Sequence, residues 1–205
     1  MARRTKRNKN TVEDRVLRAA MDLAATEGWG TVTTEAVARR AKLRPEQVAE
    51  RHGSRRAIVA ALAARADRAM IAGEAADPAL PWRDRLFEVL MRRFEALAPY
   101  RPGLKSVLNE APRRPCESAL GARGVGRAMG KAVEAAGFAP RSPKGLAAGL
   151  LAGAVYVGVL RRFVEDDSPD LAPTMAALDR RLRQAESALA WFGRLTEPAP
   201  ERRPA

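Results

Sequence analysis

From Thr11 onward, apolar residues return at steps of three and four and nowhere sustain the alternation of a strand, which is the rhythm of helices with one buried face. Val12, Val16, Ala20, Leu23 and Ala24 share one such face. Near the other end Leu171, Met175, Leu178, Leu182, Ala185, Leu189 and Phe192 alternate steps of four and three, an a/d seam suited to packing against other helices. The one β-branched stretch, Thr31-Val32-Thr33-Thr34, reads as the lead-in to a helix. Ala, Leu, Glu and Arg recur throughout, and they lose little side-chain freedom in a helix. The expected fold class is all-α.

Punctuation along the chain divides it. Thr11 is placed to cap a first helix whose acids, Glu13 and Asp14, suit the positive end of the helix dipole; Gly28-Trp29-Gly30 ends it. A second short helix starts near Thr33 or Thr34 and carries Val37, Ala38 and Ala41 on one side. Pro45 fits the first turn of a third, running through Val48 to His52, and a fourth follows Gly53-Ser54 with Ile58, Ala61, Leu62, Arg65 and Met70. After a Gly- and Pro-containing linker from Gly73 to Pro81, helices are expected over 82–97, 102–110, 117–136 and 144–164, before the seam helix. Gly121, Gly124, Gly126 and Gly130 weaken the helix that holds them, which points to close helix approach or to room for a ligand. The expected organisation is a basic arm (1–10), a three-helix domain (11–57), a larger helical domain (58–196) and a tail (197–205).

The formal charge of +13 on 205 residues calls for an anionic partner or a crowded basic surface, and Arg3, Arg4, Lys6, Arg7 and Lys9 crowd the first ten residues without an acid. Such an arm gains free energy on DNA by releasing counterions. One cysteine, Cys116, excludes an internal disulfide and leaves too few thiols for zinc; one histidine, His52, argues against a His-based metal site or a catalytic triad. No metal site, cofactor or catalytic residue is expected, and an enzyme is rejected. No apolar run follows the basic N-terminus, and the uncharged stretch between Lys144 and Arg161 falls short of the ~20 residues of a membrane span, so a buried helix and a cytoplasmic location are expected.

Three short helices, the second and third joined by a tight turn, make a helix-turn-helix. On Arg15-Val16-Leu17-Arg18-Ala19-Ala20 through Gly28-Trp29, on Thr33 to Ala41, on Leu43 and on Ser54-Arg55-Arg56-Ala57-Ile58, the sequence resembles the TetR/AcrR-type transcriptional regulators. It departs from them at Lys42, where glycine is common, at Ala49, where a tyrosine often touches phosphate, and at His52, a core phenylalanine position; Glu46 and Glu50 also lie on the expected recognition helix. The resemblance implies a homodimeric regulator, expected to be a repressor, that binds palindromic double-stranded DNA and is released by a small apolar or amphipathic effector.

Carried onto this chain, it implies DNA contacts from the arm residues Arg3, Arg4, Lys6 and Arg7, phosphate contacts from Thr33, Thr34, Arg55 and Arg56, and base or phosphate contacts from Arg44, Gln47 and Arg51. Trp82, Phe87, Met91, Phe94, Tyr100, Leu104, Leu108 and Met129 are candidates to line an effector cavity, or simply to pack a core. Gly153, Tyr156, Leu160, Leu171, Met175, Leu178, Leu182 and Leu189 are candidates for the dimer interface; the same stripe can instead be buried within one chain. A second resemblance, over Leu151–Tyr156, Phe163–Asp170 and Leu178–Arg181, is to lipid-binding ubiquinone-biosynthesis proteins that share the fold without reading DNA.

Overall fold

A computed structural model of the chain describes residues 11–72, 77, 79–139 and 141–196; among these all regular structure is helical, as the apolar spacing requires. The helices are α1 (Val12–Glu27), α2 (Thr34–Ala41), α3 (Pro45–His52), α4 (Arg55–Ile71), α5 (Trp82–Leu97), α6 (Arg101–Glu110), α7 (Pro115–Ala135), α8 (Pro143–Val164) and α9 (Ala172–Thr196), with a 3-10 turn at Trp29–Thr31 between α1 and α2. Starts follow the capping signals. Thr11, Thr33 and Ser142 each accept a backbone N–H two or three residues into their helix, from Asp14, Ala36 and Gly145. The arm residues Arg3, Arg4, Lys6 and Arg7 and the 197–205 tail lie outside the described residues.

Two compact units emerge, and they are not collinear with the chain. The first takes the residues up to Ala69 together with Arg93–Gly124; the second takes Met70–Arg92 together with the residues from Val125 on. In the first, Val16, Leu17, Ala20 and Met21 of α1 are buried with Val37 and Ala38 of α2, Val48 of α3, and Ile58 and Leu62 of α4. Each such large side chain contributes about 1.5–3 kcal/mol by leaving water. Asp14, which is 4% exposed, pairs with Arg65 and so fastens α1 to α4. Helix α6 lies on α1 at Gly103, where an added Cβ would stand 2.8 Å from Met21 Cα and also strike the Met21 carbonyl. Two backbone N–H groups of the 3-10 turn reach the same helix: Trp29 donates to Ser106 Oγ at 2.9 Å and Gly30 to Glu110 Oε1 at 2.8 Å.

In the second unit α8 and α9 pack along their length. Asp166 organises the corner between them by accepting from the amide and hydroxyl of both Ser168 and Thr174. Burial alone would raise its carboxyl pKa, but those bonds outweigh burial and hold it down at about 2. Two expectations need correcting here. Tyr156, Leu171, Leu178, Leu182 and Leu189 are buried inside this chain, so they cannot face a second copy; only Gly153, Leu160 and Met175 of the expected interface keep part of their surface. Helix α8 is not simply a buried helix. It is long and apolar enough to cross a membrane, yet only 33% of its most apolar stretch is buried, and Leu146, Leu150 and Val157 stand 60%, 79% and 50% exposed along one side. Of the two readings left open for the glycines of α7, close approach by another helix of this chain is not seen: a Cβ placed on Gly121, Gly124, Gly126 or Gly130 would meet nothing within 4 Å.

Candidate nucleic-acid interface

Helix α3 is short because Pro45 fixes its first turn and Gly53 follows His52, and it turns only Val48 and His52 into the core. Arg44, Pro45, Glu46, Ala49, Glu50 and Arg51 are left on the surface. The turn before it is held tightly. Lys42 ends α2 in the left-handed region at φ 53°, and Arg15 Nη2 donates to the carbonyls of Ala41 and Lys42 at 2.6 and 2.7 Å. Thr34 Oγ1 donates to the Gly53 carbonyl at 3.5 Å, which closes the start of α2 on the end of α3. The result is a rigid exposed helix, the geometry a major-groove reader needs.

The candidate DNA residues divide by what they already hold. Arg44, Arg51 and Arg56 are exposed, and among the described residues no carboxylate pairs with them. Gln47 is half-buried and its Oε1 accepts the Arg44 N–H at 3.0 Å, so its carbonyl caps α3, and that bond restricts how the amide can turn toward a base. Arg55 is likewise engaged, donating to the Gly30 carbonyl at 2.9 Å. Thr33 spends its hydroxyl as the α2 cap, though the helix N-terminus it sits on remains exposed. Sequence reasoning did not single out Arg39 and Lys42 as candidates; both are exposed and without an ion pair among the described residues, and their signals were the position of Arg39 opposite the buried Val37, Ala38 and Ala41 and that of Lys42 at the turn into α3. On α3 itself Glu46 and Glu50 balance Arg44 and Arg51, so its positive neighbours are Arg39, Lys42 and Arg56.

His52 is 6% exposed, and among the described residues its Nδ1 has no hydrogen-bond partner. Burial lowers its pKa below 6.5; Glu13 opposes the shift and Arg51 adds to it. The imidazole is a neutral core filler on the inner side of α3, adding no charge to the exposed side.

The eight candidate effector residues are divided between the two units, and most are packing residues. Phe94 and Met129 are fully buried, Tyr100 and Met91 nearly so, and Trp82 sits edge-on to Phe138 at 5.3 Å between ring centroids. Phe87, Leu104 and Leu108 are half-buried. One polar exception stands out. The Tyr100 hydroxyl is buried and finds no hydrogen-bond partner among the described residues, which costs free energy unless something satisfies it. Among the described residues no group of His, Cys, Asp and Glu is placed to hold a metal ion.

No family model and no curated protein matches this sequence. Solved structures do. A TetR transcriptional regulator from Nitrosomonas europaea superposes with a TM-score of 0.72 at 20% identity, over 87% of this chain and 99% of that one. A TetR transcriptional regulator from Rhodococcus sp. RHA1 gives 0.55 at 19% identity, over 83% and 93%. A TetR variant from Acinetobacter baumannii in complex with minocycline gives 0.51 at 23% identity, over 92% and 100%. With the helix-turn-helix geometry above, these likenesses establish that the chain has the fold of the TetR-type transcriptional regulators.

Proposed function

We propose that this protein is a TetR-type transcriptional repressor whose part over 11–57 reads DNA and whose part over 58–196 pairs two copies and responds to a small apolar effector. The observation that carries the proposal is the exposed, rigidly held α3, flanked by Arg39, Lys42, Arg44, Arg51 and Arg56 without carboxylate partners among the described residues. Arg44 and Arg51 contact bases or the nearest phosphates, and Arg56 and the N-terminus of α2 hold the backbone in register. The arm with Arg3, Arg4, Lys6 and Arg7 adds affinity that is independent of sequence.

Two copies pair through the exposed side of α8, Leu146, Leu150 and Val157, where Gly149 and Gly153 would allow close approach because nothing lies within 4 Å of an added Cβ. A second copy is the natural cover for such an apolar stripe, and a paired molecule offers two α3 helices to half-sites about 34 Å apart. Effector control is supported by α6, which is bonded to the 3-10 turn just ahead of α2 through Ser106 and Glu110. An effector that moves α6 shifts the reading helices with it, and the Tyr100 hydroxyl is a waiting polar partner.

Electrophoretic shift on DNA upstream of the protein's own coding region tests the proposal. A sequence-specific complex whose affinity falls steeply with salt is expected. Weak binding of equal strength to any duplex would overturn it. The charge balance of Glu46 and Glu50 against Arg44 and Arg51 favours one other reading, a lipid-binding protein of the same fold; an isoprenoid lipid retained through purification, with only non-specific DNA binding, identifies that case.

A further inference from the structure

Between α8 and α9, within the second unit, a hollow of about 420 Å³ is lined by Gly158 and Arg162 of α8 and by Ala177, Arg180, Arg181 and Gln184 of α9. Three guanidinium groups serve one small groove. Among the described residues none of the three has a carboxylate partner, and the nearest acids of α9 and the α8–α9 corner are engaged elsewhere: Asp179 with Arg183, Glu186 with Arg83 at 3.4 Å, and Asp166 with Ser168 and Thr174, while Glu165 and Asp167 stand exposed without reaching them. The negative end of the α8 dipole offsets part of the charge on Arg162 in its last turn, but Arg180 and Arg181 sit mid-helix and have no such relief.

Gly158 gives the groove its shape. A Cβ there would lie 2.6 Å from Arg181 Cζ and 2.7 Å from its Nη1, so the Arg181 guanidinium lies across bare α8 backbone and reaches the side that carries Arg162. Any larger residue would push it away. A set of like charges without carboxylate partners, given room by the bare backbone at Gly158, repels itself and is relieved by an anion bound among them.

We propose that this groove binds a small polyvalent oxyanion, a phosphate- or carboxylate-bearing molecule. Guanidinium forks match the paired oxygens of both groups, with the Gln184 amide as a further neutral donor. The volume suits a ligand of metabolite size. The proposal goes beyond the regulator assignment and depends on neither DNA reading nor pairing. It gives the chain an anion sensor separate from its apolar effector.

Isothermal titration of the full chain with pyrophosphate and, separately, with citrate, each against sodium chloride at matched ionic strength, tests it. Saturable binding at one site per chain is expected for at least one of the two, and which one saturates names the ligand's chemistry. Arg162→Gln and Arg181→Gln should each weaken that binding about tenfold, the loss of one charge-assisted contact. The double variant Arg44→Gln/Arg51→Gln on α3 should leave it unchanged. Gly158→Ala is the sharper variant: it favours the helix and moves only the end of Arg181, so weakened binding with an undiminished melting temperature supports the site. Binding no stronger than that of chloride, or an isotherm unaltered in Arg162→Gln, Arg181→Gln and Gly158→Ala alike, overturns the proposal.

Discussion

Gly103→Ala adds one methyl group where α6 crosses α1. The new Cβ would lie 2.8 Å from both Cα and Cβ of Met21 and closer still to the Met21 carbonyl oxygen, all on or next to α1 backbone. Carbon atoms pack comfortably at about 3.5–4.0 Å, so the two helices must part by roughly an ångström. Overpacking costs about 1–3 kcal/mol, and the upper part of that range, about 2–3 kcal/mol, applies where backbone rather than a side-chain tip must yield. Alanine repays about 1 kcal/mol through better helix propensity, which leaves a net loss of about 1–2 kcal/mol. Gly130→Ala in α7 is the matched control, since its Cβ meets nothing within 4 Å and only the propensity gain of up to about 1 kcal/mol remains. Urea unfolding of both variants beside the parent measures the difference, and Gly103→Ala should move the midpoint down while Gly130→Ala moves it up. A Gly103→Ala protein as stable as the parent would refute the close contact of α6 with α1, and with it the proposed route from α6 to α2 and α3.

The other expectations rest on separate residues. Lys42→Gly relieves a left-handed residue at the end of α2 and should stabilise the fold by about 1 kcal/mol in thermal melts, while removing one cation and so weakening DNA binding in gel shift at low salt. His52→Phe removes a buried, unpartnered Nδ1 and should add about 1 kcal/mol near neutral pH. Because burial holds the folded His52 pKa below 6.5, the parent is favoured above that value and loses stability as pH falls from there toward the lowered folded value; the phenylalanine variant should lose that part of the slope in pH-dependent urea midpoints. Glu46→Gln/Glu50→Gln removes two acids from the exposed side of α3 and should tighten DNA binding at least tenfold by filter binding; unchanged affinity would place α3 away from the phosphates. Leu150→Glu puts a charge on the most exposed apolar residue of α8, and sedimentation should show monomers that melt at the parent temperature.

The helices themselves were legible in the chain, since apolar spacing and the capping signals Thr11, Thr33, Pro45 and Gly28 act over a few residues and need no tertiary partner. For the same reason α3 was placed from Pro45 to His52 by sequence, with its exposed positions between two core anchors. Periodicity gives a helix face its apolar character, but it does not name the surface that will cover it. The Leu171 to Leu189 seam carried the same pattern whether it met a second copy or α8 of its own chain, and only packing assigned it to α8. The stripe left open, Leu146, Leu150 and Val157, was hidden in a helix apolar on every side.

Site chemistry divided along the same line. Sequence put Arg44, Gln47, Arg51, Arg55 and Arg56 in one neighbourhood, because they are close along the chain. It did not show that Gln47 and Arg55 are held by Arg44 N–H and the Gly30 carbonyl, bonds that exist only once a turn closes or a distant segment arrives. The arginine groove was equally invisible. Gly158 lies 23 positions before Arg181, and nothing along the chain says that one clears the way for the other until α9 lies beside α8. The sequence by itself determined which segments are helical and which residues are available. Tertiary structure alone decided which side chains are spent on holding the fold and which remain for a ligand, because hydrogen bonds, burial and charge neutralisation depend on neighbours that the chain brings together only when folded.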